Sequence, residues 1–231
     1  KGLNMNRSFI LVDIDGPLLA GKSNYLPANR NNSLDNGLEV KLDDFSVWAH
    51  NIWVKYSNAN IIIATNWIFH KTSNELKHIF KQNGLEFDDR YYEEYLTTHK
   101  KRTSERGHEV WWTIADLAKE GDTFLIVDDD QTCDMIKGYV EDAVNGKNPA
   151  TRWDKMDNPP QVKWIEVDTT EGLSLLNFKE GGNFLGFNEY RSETYTPWDY
   201  MNYDEFGKKM RTKEEKEKEK EEMDILLACM I

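Results

Sequence analysis

The chain has 231 residues, 39% hydrophobic and 12% aromatic, enough for one sizeable folded domain with an appendage. Its formal net charge of −12 argues against a long, non-specific nucleic-acid footprint, which needs clustered Lys and Arg. Two cysteines, Cys133 and Cys229, are too few for a disulfide framework or a cysteine zinc site, so a reducing, cytoplasmic setting is expected; no apolar run reaches membrane-spanning length.

The first element is an apolar run at residues 8–12, inside the stretch FILVDIDGPL (9–18). It ends in two acids, Asp13 and Asp15, spaced i, i+2 and followed by Gly16. That spacing points both side chains to one side of an extended backbone, with the glycine free to turn the chain away. Burying an unpaired carboxylate is costly, so two at one strand end require partners elsewhere.

Residues 18–41 hold two loop-like stretches, GKSN and NRNNS, and read as a small cap or lid over that strand end. A helix is expected at 42–56, then a strand at 60–64 ending in Thr65, Asn66 and Trp67. A second helix is expected at 73–82. Then come a basic cluster, Lys100, Lys101 and Arg102 with Arg106, and a helix at 109–119. The strand at 123–127 runs into Asp128, Asp129 and Asp130, and a helix at 133–144 precedes a last strand at 162–167.

All four strands are short and continuously apolar, the pattern of a parallel sheet covered on both faces. Their alternation with helices predicts an α/β fold, a three-layer α/β/α sandwich around a Rossmann-like, mostly parallel sheet. This domain is expected to span residues 1–170. Residues 171–231 read as an extension, with an irregular excursion across 180–203 and a Lys/Glu-rich helix at 204–224. The apolar end of that helix is expected to dock on its own domain; assembly of copies through it is the alternative.

In open parallel sheets, ligands bind outside the carboxyl ends of the strands. With the three acid- or hydroxyl-ended strands as neighbours, Asp13, Asp15, Asp128, Asp129 and Thr65 converge on one small volume. Carboxylates so placed repel one another unless a cation lies among them, and an all-oxygen set selects a hard ion, Mg²⁺ first. Plainer readings exist: Asp13 and Asp15 as turn caps, Thr65 as a helix N-cap, Asp130 as a cap for the following helix. The tryptophans read as core and cap packing rather than a base-stacking platform.

The stretches DIDG at 13–16, IIIATN at 61–66 and FLIVDD at 124–129 resemble, in order, three motifs of the haloacid dehalogenase-like (HAD) hydrolases, a superfamily composed mostly of Mg²⁺-dependent phosphatases. Trp48, Trp53 and Trp67 resemble a subgroup linked to RNA repair. The resemblance implies that Asp13 is a nucleophile forming an aspartyl-phosphate, and Asp15 the general acid and base whose backbone carbonyl also ligates metal. It implies that Thr65 catalyses by binding a phosphoryl oxygen, with Asn66 and Gly16 at the substrate, and that Asp13, Asp15, Asp128 and Asp129 hold Mg²⁺. A catalytic cation upstream of the third strand is also implied: Lys101 first, Lys100 next to it, Arg102 and Arg106 behind. The expected substrate is phosphorylated, a nucleotide or a polynucleotide 3′-end, with a small metabolite second; a non-catalytic binding module is the different class kept open.

Overall fold

The computed structural model describes residues 6–26, 29, 39–85, 90, 105–148 and 151–186. Strand β1 (Ser8–Val12) is followed by helix α1 (Asp44–Ser57), strand β2 (Asn60–Ile63) and helix α2 (Ser73–Gln82). Helix α3 (Arg106–Leu117), strand β3 (Thr123–Asp128), helix α4 (Met135–Val144), strand β4 (Gln161–Glu166) and helix α5 (Leu175–Phe184) complete the order. The four strands form one parallel sheet in the order β2-β1-β3-β4.

Strand periodicity decides the layering. Ile10, Val12, Ile61, Ile63, Leu125 and Val127 point to one face, where they pack with residues of α1, α2 and α5. The alternate residues Phe9, Leu11, Ile62, Phe124 and Ile126 face α3 and α4. Both faces are therefore buried at β1, β2 and β3, which is why these strands read as apolar runs; the edge strand β4 carries Lys163 and Glu166 and is only partly buried. The sheet and its two helical layers make the α/β/α sandwich expected from the sequence.

Helix starts are set by side-chain caps. Asp43 accepts from the Ser46 N–H at 2.9 Å, while Thr72 with Glu75 and Ser174 with Asn177 form reciprocal capping boxes. The last of these opens a helix where the sequence reads as irregular: Glu180 to Asn183 lie inside α5, not in a surface excursion. Gly181 suits packing, not a break. A Cβ on Gly181 would lie 2.6 Å from Cζ2 of Trp53, a fully buried ring whose Nε1 donates to the Phe178 carbonyl at 3.0 Å. Gly181→Ala is accordingly expected to destabilise the fold by about 1–3 kcal/mol from overpacking, offsetting the gain in helix propensity. A urea-denaturation midpoint equal to or above that of the wild type would contradict this.

Of the cap segment, Leu18, Leu19 and Ala20 are buried and Gly21–Tyr25 forms a 3-10 turn. Asn29 ties this turn to the chain before α1, donating to the Ser23 and Lys41 carbonyls and accepting from Lys41 N–H. Residues 30–38 and the charged helix expected at 204–224 lie outside the described residues. Among the described residues, no helix is long and apolar enough to cross a membrane.

Candidate active site

The connections diverge at the centre of the sheet. β1 has β2 on one side and β3 on the other, so the crevice at their carboxyl ends is a topological switch point. Asp13 extends β1 there, its N–H donating to the Val127 carbonyl at 3.1 Å. Asp128 closes β3, and Thr65 follows β2, with Ala64 N–H tied to the Val12 carbonyl at 2.9 Å. The parallel register thus delivers three polar residues to one end of an apolar sheet.

Asp13, Thr65 and Asp128 are buried. Asp13 Oδ1 accepts from the Ile14 N–H at 2.7 Å, and the Thr65 side chain also hydrogen-bonds the Asp13 carboxylate. Asp128 Oδ1 accepts from Asp130 N–H at 2.9 Å. Its other oxygen, Oδ2, is buried and makes no hydrogen bond among the described residues; Arg106 Nε stands 3.6 Å away, within ion-pair reach only. One carboxylate oxygen each from Asp13, Asp128 and Asp129 lie within 4.8 Å of one another.

Asp129 reaches this cluster because Gly16 lets it. A Cβ on Gly16 would sit 2.5 Å from Asp129 Cγ, and its φ of +79° is a left-handed value that favours glycine. Asp130 turns away to cap the following 3-10 turn, accepting from Thr132 N–H at 2.8 Å. Asn66, expected near the substrate, is exposed at the start of the turn after Thr65.

Among the described residues, the cation at these acids is Arg106. Its side chain is only 7% exposed, with NH2 3.4 Å from Asp13 Oδ2 and Nε facing Asp128. Gly107 allows this approach: a Cβ there would collide with the Thr132 carbonyl oxygen, and Gly107 N–H donates to Thr132 Oγ1 at 3.0 Å. Thr132 is itself bound to Asp130, so the acidic turn after β3 anchors the first turn of α3. Lys100, Lys101 and Arg102 lie outside the described residues.

Electrostatics follow from crowding in a dry place. Burial first, then repulsion from Asp128, push the Asp13 carboxyl well above its ordinary range, against the pull of Arg106 and Thr65. Burial likewise pushes Asp128 up to about 7, with Arg106 opposing. Burial disfavours the Arg106 charge, but Asp13 and Asp128 outweigh it and hold the guanidinium ionised. One guanidinium cannot neutralise three acids. Hard oxygen donors at close range, one of them buried without a hydrogen bond, are the donor set of a hard divalent cation.

Asp15 stands apart from this trio. Its carboxylate Oδ2 accepts from the Trp67 indole Nε1 at 2.8 Å, and its side chain is not one of the three whose oxygens lie together. Burial raises its carboxyl, and the Trp67 hydrogen bond opposes the rise. Trp67 has a polar role that the packing reading of the tryptophans misses; Trp53 and Trp48, which pack on Phe178, fit that reading.

A parallel α/β/α sandwich with carboxylates at its switch point and a buried arginine among them defines a HAD-type site. The chain matches the family described as the HAD domain in Swiss Army Knife RNA repair proteins over residues 9–177, and it belongs to that family. This sets it among the HAD-type hydrolases. No curated protein and no solved structure gives a significant match.

Proposed function

We propose that the protein is a Mg²⁺-dependent phosphomonoesterase that works through an aspartyl-phosphate on Asp13, on a nucleotide or a polynucleotide 3′-end. The observation that carries the reading is the cluster of Asp13, Asp128 and Asp129 oxygens, with the Asp128 Oδ2 atom left without a hydrogen bond beside Arg106. Those three carboxylates and the Asp15 carbonyl would hold the Mg²⁺. When bound, the ion neutralises charge between a carboxylate nucleophile and a phosphate dianion.

Asp13 attacks phosphorus; its O–P bond forms as the P–O ester bond breaks. Asp15 gives its proton to the leaving oxygen, then takes one from the water that hydrolyses the acyl phosphate, restoring Asp13 and releasing phosphate. Thr65 Oγ1, already beside Asp13, binds a phosphoryl oxygen with the backbone N–H groups of the Asn66 turn. Arg106 balances charge on Asp13 and the phosphoryl group, a role held open also for Lys100 and Lys101.

The family description supports an RNA end as the substrate, while the net charge of −12 favours a short footprint over a long one. A phosphate-release assay tests the reading. p-Nitrophenyl phosphate, a small sugar phosphate, nucleoside monophosphates and a 3′-phosphorylated oligonucleotide are each offered with Mg²⁺, then with EDTA. Turnover of the oligonucleotide at least about tenfold above the mononucleotides in kcat/KM is expected, and EDTA should abolish it. No Mg²⁺-dependent release from any of them would refute the enzyme; faster turnover of a small sugar phosphate would move the substrate to metabolites.

A further inference from the structure

Trp67 is buried, and its single polar atom is directed at Asp15. A buried indole N–H must find an acceptor, but a backbone carbonyl would serve and would leave the carboxylate free. Here the ring is held from several sides. The Trp67 backbone N–H donates to Thr65 Oγ1 at 3.3 Å, the ring lies in the core cluster with Ile63 and Leu76, and Lys71 Nζ stands 5.6 Å from its centroid.

The arrangement repeats a spacing. Asp13 and Asp15 leave β1 two residues apart; Thr65 and Trp67 leave the adjacent parallel β2 two residues apart. Thr65 hydrogen-bonds Asp13, and Trp67 hydrogen-bonds Asp15. One short turn therefore addresses both acids. An indole N–H can only donate, so the oxygen it holds stays an acceptor. Among the described residues, Asp15 Oδ1 takes no hydrogen bond, which leaves that atom for the substrate.

We propose that Trp67 is a positioning residue that clamps Asp15 by Oδ2 and so aims Oδ1 at the leaving-group oxygen. This rests on the phosphatase reading above. Trp67 touches no substrate; it removes the rotation that a solvated carboxylate would keep, and general acid catalysis depends on that alignment. The effect should be confined to leaving groups that need a proton. A 3′-phosphate leaves a poor alkoxide, whereas p-nitrophenolate departs without help.

The test compares kcat/KM, which ends at phosphoryl transfer to Asp13, for a 3′-phosphorylated oligonucleotide and for p-nitrophenyl phosphate. Trp67→Phe keeps the ring and removes the N–H. It is expected to lower the value for the oligonucleotide about 10- to 100-fold, through kcat with KM unchanged, and the value for p-nitrophenyl phosphate by less than about threefold. An equal loss on both substrates, or no loss on the oligonucleotide, overturns the proposal and leaves the phosphatase standing. A wild type inactive on both overturns the phosphatase and the proposal together. Should Trp67→Phe fold poorly, the Trp67 indole ¹H–¹⁵N resonance, assigned in the wild type by through-bond experiments, gives a second readout. That resonance should shift in Asp15→Ala, and an unchanged position refutes the clamp.

Discussion

Asp13→Asn is expected to abolish phosphate release while raising the stability of the cation-free protein. The loss follows from the proposed chemistry: an amide oxygen is a poor nucleophile for phosphorus, and removing a nucleophile typically costs about 10⁴-fold or more in kcat. The gain follows from the fold. Asp13 is buried beside Asp128, and both carboxyls are raised above their ordinary range by burial. Asparagine is close in shape and can still accept from Ile14 N–H and from Thr65. The variant removes a like charge at almost no loss of packing, and Arg106 remains for Asp128. A gain on the order of 1 kcal/mol in EDTA is expected, the usual exchange of stability for activity at a strained site. Urea denaturation in EDTA and steady-state release measure the two halves. A lower midpoint than wild type would mean that Asp13 stabilises the apo fold through Arg106; activity above about 1% would remove Asp13 from the nucleophile's place.

The parts of this molecule legible in the sequence are those where one local pattern has one physical solution. A strand buried on both faces has to be apolar throughout, so β1, β2 and β3 are readable to within about a residue at each end; the edge strand β4, with Lys163 and Glu166 in it, is readable from its Val, Trp and Ile. An acid at the end of such a strand has nowhere to go but a site, and Asp13 and Asp128 are found there. Arg106 was harder. It follows Lys100, Lys101 and Arg102 in the sequence, where a cluster of cations reads as solvated; its burial depends on Gly107 docking against Thr132, a contact 25 residues away in the chain. Helix α5 was hidden for a similar reason. Gly181 and Gly182 read as a break unless the Trp53 ring that fills the space beside Gly181 is known, and the cap at Ser174 uses Asn177 where a Glu would have been recognisable. Trp67 shows the third kind of difficulty: composition marks an indole as packing, and only tertiary placement shows where its N–H points.

Arg106→Ala is expected to damage both fold and activity, and the two losses should respond differently to Mg²⁺. The guanidinium is 7% exposed and faces two buried carboxylates. Removing it leaves those charges without their only described cation, in a place where breaking a buried pair costs about 3–5 kcal/mol. Protonation of the acids limits the loss, so a value near 3 kcal/mol in EDTA is the expectation. A divalent cation binds the folded site and not the unfolded chain. Millimolar Mg²⁺ should therefore restore much of that stability by mass action. Activity should not recover with it, because Mg²⁺ does not replace donors aimed at the phosphoryl group, and their loss is worth about 10²- to 10³-fold. Arg106→Lys keeps the charge but loses the planar fork, and is expected to fall between the two in both measurements. With Arg106 in this role, Lys100→Ala and Lys101→Ala, the alternatives held open for it, should leave both nearly unchanged. If Lys101→Ala removed activity while Arg106→Ala removed only stability, Arg106 would be the counter-ion of the fold and Lys101 the cation of the chemistry.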